Sequence, residues 1–199
     1  MNTIEILQKF GLKSKVLFIF RHGFKTTDNH ITPECLAEIE AEGIKGAEIN
    51  INAIHEGSHF IRTAETVAAL EKWLVANGAT IEKHFPKDDR LGDEKLFSFY
   101  TSEIREKMKK FNLTAYEVTE KYGTNFLLDW ESDLMIMISD LLETLNFGDV
   151  CAVPCHTPTV EVIFNLFADS DFRDPKMAIK ELEGIFLVQE SNGFIHTIR

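Results

Sequence analysis

Lys15-Val16-Leu17-Phe18-Ile19-Phe20-Arg21-His22-Gly23 is the stretch that decides the fold. Five apolar residues in a row, bounded by a lysine and by a polar end, predict a buried strand of a mostly parallel sheet. Such strands point their carboxyl ends into a crevice where open α/β sheets bind ligands. Arg21 and His22 therefore fall where chemistry is expected, and Gly23 lets the backbone come close to a ligand.

Working outward, residues 2–10 predict a short helix stopped by Gly11, and Thr32-Pro33 opens a helix to about residue 50. Ile51–His55 reads as a second strand. Ser58 is placed to cap a helix over 59–76 that ends at Asn77-Gly78, and 79–85 reads as a third strand. From about 94 to 146 the pattern is helical throughout, with a capping box over Thr114–Glu117. One crossover helix does not need some fifty residues, so about 94–130 is expected to be an inserted helical cap over the crevice. Asp149–Cys155 is a strand, Thr157-Pro158 opens another helix, and Ser191-Asn192-Gly193 joins a terminal hairpin. The order predicts a single domain over 1–199, a three-layer α/β/α sandwich with a mostly parallel sheet and a helical cap insertion.

Composition narrows the partners. With 21 basic and 32 acidic residues the formal net charge is −11, which argues against nucleic acid and acidic membrane surfaces. No apolar run approaches the ~20 residues that span a bilayer. Cys35, Cys151 and Cys155 form no disulfide framework, so a reducing cytoplasm is expected. Cys151, Cys155 and His156 do not make a metal or protease set, because alternation puts the two thiols on one strand face and the imidazole on the other. No metal or cofactor is expected.

The chemistry gathers at Arg21-His22, Arg62 and His156. Two arginines and two imidazoles suit a phosphoryl group, since a guanidinium matches phosphate oxygens and stays charged. Helix starts near Ser58 and Thr157 would add backbone N–H groups and a favourable dipole. A neutral imidazole can attack phosphorus while a nearby carboxyl protonates the leaving oxygen. Arg62 could instead be a surface residue paired with Glu65, three positions on. The phenylalanines Phe97, Phe99, Phe111 and Phe126 read as cap core rather than as a substrate platform.

Taken together, Arg21-His22-Gly23, Ile31-Thr32-Pro33-Glu34, Ser58-x-x-x-Arg62 with Thr63-Ala64-Glu65-Thr66, and His156 resemble the histidine phosphatase superfamily, also called phosphoglycerate-mutase-like. The anchors occur in the family's order. The resemblance implies that His22 is the phosphorylated nucleophile and that Arg21, Arg62 and His156 bind the phosphoryl group. It also implies Asp93 as the acid, two residues after Leu91, with Glu94 as its neighbouring rival. Lys25 and Thr157 are expected to touch substrate. Lys25 and Asp28 stand where phosphoglycerate mutases carry serine and asparagine, which favours hydrolysis over transfer. The activity implied is hydrolysis of a small phosphomonoester. Alternatives are a phosphohistidine-protein phosphatase, a mutase, or a phosphate-binding regulatory protein with little turnover.

Overall fold

The computed structural model describes residues 13–47, 49–92, 94–169, 173–174 and 176–199. The helix expected over 2–10 lies outside them. The decisive stretch is strand β1 (Ser14–Arg21), and Val16 through Phe20 are each at most 1% exposed. Burial of five such side chains, at about 1.5–3 kcal/mol each, makes β1 the spine of the core.

The chain continues through α1 (Pro33–Glu42), β2 (Ala53–His55), α2 (Ile61–Ala76) and β3 (Lys83–Phe85). A 3₁₀ turn (Asp89–Gly92) and four helices follow: α3 (Glu94–Phe99), α4 (Ser102–Phe111), α5 (Ala115–Tyr122) and α6 (Thr124–Thr144). Strand β4 (Val150–Cys155), helix α7 (Thr159–Phe167), and strands β5 (Gly184–Glu190) and β6 (Ile195–Ile198) complete it. The sheet order is β3-β2-β4-β1-β5-β6, parallel from β3 to β1 and antiparallel through β5 and β6.

Alternation along the strands divides the core into two layers. Val16, Phe18 and Phe20 of β1 pack with Ile39 of α1 and Val67, Leu70 and Leu74 of α2 on one face. Leu17 and Ile19 pack with Leu134 and Ile138 of α6 and Val160 and Ile163 of α7 on the other. The result is the expected three-layer α/β/α sandwich. Since the helices after β1 and β4 leave toward opposite faces, a crevice opens between the carboxyl ends of these neighbouring strands.

Three local expectations change. The helix from Thr32 stops at Glu42, not near 50, because Gly43 takes φ 76° and a side chain there would meet the Trp73 ring at 2.7 Å. Strands β2 and β3 are shorter than the stretches 51–55 and 79–85 expected for them. Helix α2 begins at Ile61 after Phe60, with no side-chain cap, so Ser58 is not its N-cap. The capping box does form: Thr114 accepts from the Glu117 N–H, and Glu117 accepts from the Thr114 N–H.

Candidate active site

Strand register builds the site. Arg21 lies opposite Cys155 in the parallel β1–β4 pair, so the next residues, His22 and His156, emerge side by side. The His22 N–H donates to the Cys155 carbonyl, and the two rings stand edge to face with centroids 4.9 Å apart.

His22 is 6% exposed, and burial lowers its pKa to about 3 although its bond to Gly23 works the other way. The ring is therefore neutral near pH 7. Its Nδ1 lies 2.7 Å from the Gly23 carbonyl oxygen, and its Nε2 lies 2.9 Å from Nε of Arg62, which donates to it. A carbonyl can only accept, so Nδ1 carries the proton and Nε2 presents its lone pair. Gly23 allows this close turn, since a Cβ there would sit 2.5 Å from Sγ of Cys35.

Arg62 stands in the first turn of α2 and is 3% exposed. Its guanidinium lies 4.4 Å from the ring centroid of Phe60 and 5.4 Å from that of Phe97. Burial, with the Arg21 charge second, lowers its pKa to about 10, which leaves it protonated at neutral pH. The surface pairing with Glu65 is not what forms. Glu65 instead accepts from the Ile31 N–H and pairs with His30.

Ser58 finds its partner across the crevice. Its Oγ is 2.7 Å from Nε2 of His156, itself 1% exposed with a pKa pushed well down by burial. His55 shapes that loop, since its Nδ1 accepts from the Gly57 N–H at 2.9 Å. Gly57 takes φ 81° and leaves no room for a side chain beside the Pro154 carbonyl. Gly92 closes the same corner: a Cβ there would lie 2.8 Å from Ser58 Cβ and 2.9 Å from His156 Cδ2. The turn holding Gly92 is pinned by Trp130 Nε1 donating to the Arg90 carbonyl and Thr159 Oγ1 donating to the Leu91 carbonyl.

The sequence matches no family model and no curated protein. The backbone, however, is similar to that of the candidate phosphohistidine phosphatase SixA from Agrobacterium tumefaciens, with a TM-score of 0.50 at 11% identity. The match covers 92% of this chain and 95% of that one. The chain has the histidine phosphatase fold. A phosphoglycerate mutase from Plasmodium falciparum aligns at a TM-score of 0.49 and 13% identity, over 94% of this chain and 90% of its own.

On this histidine-phosphatase fold, His22, Arg62 and His156 come together with Ser58 in one buried corner. Arg21 is held at its edge: Nη1 donates to the Ile179 carbonyl at 2.9 Å, and Nη2 pairs with Glu181 at 2.5 Å. Lys25 is exposed and donates to Asn29, and its pKa is lowered by partial desolvation near the crevice and then by Arg62, Arg105 and Arg21. The hydroxyl of Thr157 is committed to Glu161 at 2.9 Å. Asp93 lies outside the described residues; Gly92, just before it, touches the site.

Several contributors are silent in the sequence. Phe60 gives no motif, yet its ring packs on Arg62 and on His156. Phe97, read as cap core, instead meets Arg62 and His156, its centroid 5.2 Å from the imidazole. Cys155 belongs to the apolar layer opposite and is fully buried, which pushes its thiol pKa well up.

Proposed function

We propose that this protein is a phosphatase that hydrolyses a small phosphomonoester through a phosphohistidine at His22. The observation that carries the reading is the pair of contacts at His22: Nδ1 beside the Gly23 carbonyl, which places the proton there, and Nε2 against the Nε of a buried guanidinium. In the first step the substrate's phosphoryl oxygens take over the Arg62 N–H that Nε2 accepts. The freed Nε2 lone pair attacks phosphorus, the P–N bond forms and the P–O bond to the alcohol breaks. Arg62, Arg21 and His156 spread the charge on the equatorial oxygens, and preorganised donors of this kind are often the largest catalytic contribution. Asp93 gives its proton to the leaving oxygen. Water then attacks the phosphohistidine, the Asp93 carboxylate takes its proton, and orthophosphate leaves as the P–N bond breaks.

A small substrate is favoured over a phosphoprotein by the helices between β3 and β4, which we take to be a cap. Phe97, on α3, reaches Arg62 and His156, so a bulky partner would have to displace it. Two arginines supply the positive charge, and turnover without a metal is expected. The net charge of −11 makes nucleic acid an unsuitable partner. Three free buried cysteines suit a reducing compartment, and we place the protein in the cytoplasm. Among the described residues, no helix is long and apolar enough to cross a membrane.

Hydrolysis of an aryl phosphate in EDTA tests the reading, because an aryl leaving group needs little acid assistance. Rapid-quench labelling should put acid-labile phosphate on His22. Turnover without a phosphoenzyme, or label on His156 instead, would sink the assignment. Orthophosphate binding with no turnover would favour a regulatory, phosphate-binding protein.

A further inference from the structure

Glu161, in the first turn of α7, is 2% exposed and has no place in the chemistry above. Its Oε1 accepts two hydrogen bonds, from Thr157 Oγ1 at 2.9 Å and from the Ile179 N–H at 3.0 Å. Thr157 follows His156 directly. The carbonyl of the same Ile179 accepts from Nη1 of Arg21. One carboxyl group thus connects the loop of the second histidine to the segment that holds the strand-end arginine.

That segment is docked from one helix face. One turn beyond Glu161, Asn165 donates to the Asp174 carbonyl and accepts from the Asp174 N–H. Past Ile179, Glu181 pairs with Arg21, and the Leu182 N–H donates to the Arg21 carbonyl. The side-chain atoms Arg21 Nε and Glu161 Oε2 are both buried without a hydrogen-bond partner among the described residues. A guanidinium has five N–H donors, and the two bonds to Ile179 and Glu181 leave others for an anion.

We propose that Glu161 is a positioning residue: through Ile179 it fixes the Arg21 guanidinium for the anion, and through Thr157 it keeps that guanidinium in register with His156. This rests on the reading of Arg21, Arg62, His22 and His156 as one anion site. A flexible arginine must be ordered when the anion arrives, whereas one fixed beforehand is not, and preorganisation raises affinity. Burial raises the Glu161 pKa, and the hydrogen bonds it accepts, with the Arg21 charge last, oppose that shift. Neither shift is needed for the geometry, since the two bonds require only an acceptor oxygen.

The experiment is a double-mutant cycle on the full chain, read by calorimetric affinity for inorganic orthophosphate, with aryl phosphate hydrolysis and a thermal midpoint recorded for each variant. Glu161→Gln should stay within about twofold of the native affinity, because an amide oxygen accepts the same two bonds. Glu161→Met fills the space without an acceptor and should lose about tenfold or more, yet less than about twofold when Arg21 is already alanine. Equal losses in both backgrounds would make Glu161 merely structural and overturn the proposal. A glutamine variant as weak as the methionine one would do the same. If Glu161→Met does not fold, Glu161→Asp, whose acceptor is drawn back by one methylene, takes its place with the same expectation. Coupling without hydrolysis leaves this inference standing and removes the phosphatase reading; hydrolysis without coupling does the reverse. A native protein that binds no orthophosphate overturns the proposal.

Discussion

His22 shows how burial and two hydrogen bonds set the state of a single residue. In the folded chain its pKa is lowered to about 3, chiefly by desolvation. In the unfolded chain an ordinary imidazole titrates near 6.5. Below pH 6.5 the unfolded state therefore binds the extra proton, and stability falls as the pH drops toward about 3, where the loss levels off. At pH 5 the His22 share is about 2 kcal/mol. Chemical denaturation of the native chain and of His22→Asn between pH 7 and pH 4 checks this, and the variant should lose less stability over that range. Arg62 gives a second prediction at the same scale. Its Nε bonds to His22 while the guanidinium carbon lies over the Phe60 ring, and a lysine ammonium does not reproduce this pair of contacts. Arg62→Lys should lower kcat for aryl phosphate about a hundredfold with the fold intact. Near-native turnover would refute a role that only a guanidinium can fill.

Elements explain which parts of this site can be read without a structure. Arg21-His22-Gly23 and His156 are legible because a buried strand is an unbroken apolar run, and its polar successor stands at the strand's carboxyl end. Both strands end on the same side because they are parallel. Arg62 is legible through its spacing from Ser58, but the role of Ser58 is not. A serine before a helical pattern reads as a cap, and only the fold brings it within 2.7 Å of an imidazole 98 residues away. Phe60, Phe97 and Glu161 are illegible for a related reason. Aromatic residues and first-turn acids satisfy ordinary helix patterns equally well in a site or in a core. Placement of the acid is also a matter of elements. The 3₁₀ turn brings Gly92 against Ser58 and His156, and Asp93 comes next, with Glu94 opening α3. Removing the true acid should harm hydrolysis of an alkyl phosphate far more than that of an aryl phosphate, because only the alkoxide needs the proton. We expect this differential for Asp93→Asn and a small, uniform effect for Glu94→Gln. The opposite pattern would transfer the role to Glu94.

At the scale of the whole molecule, a chain of net charge −11 directs at least two buried or half-buried arginines to one crevice. Holding Arg21 and Arg62 near one another is unfavourable, and each lowers the tendency of neighbouring groups to carry positive charge. An anion in the crevice relieves that repulsion. The groups it would touch come from the ends of β1 and β4, the loop before α2 and the first turn of α2, so the anion would join elements from both layers of the fold. Ligand binding to the native state alone stabilises by RT ln(1 + [L]/Kd), which is about 2.7 kcal/mol when the ligand is at a hundred times Kd. For a domain of this size each kcal/mol raises Tm by roughly 2–4 °C. Saturating orthophosphate should therefore raise Tm by about 5–11 °C at pH 7. The shift should be lost in Arg62→Ala, which removes the guanidinium bonded to His22. Chloride at the same ionic strength separates site occupancy from general screening and should leave Tm nearly unchanged. An equal rise with chloride, or a rise that survives in Arg62→Ala, would show that the stabilisation does not arise at this site.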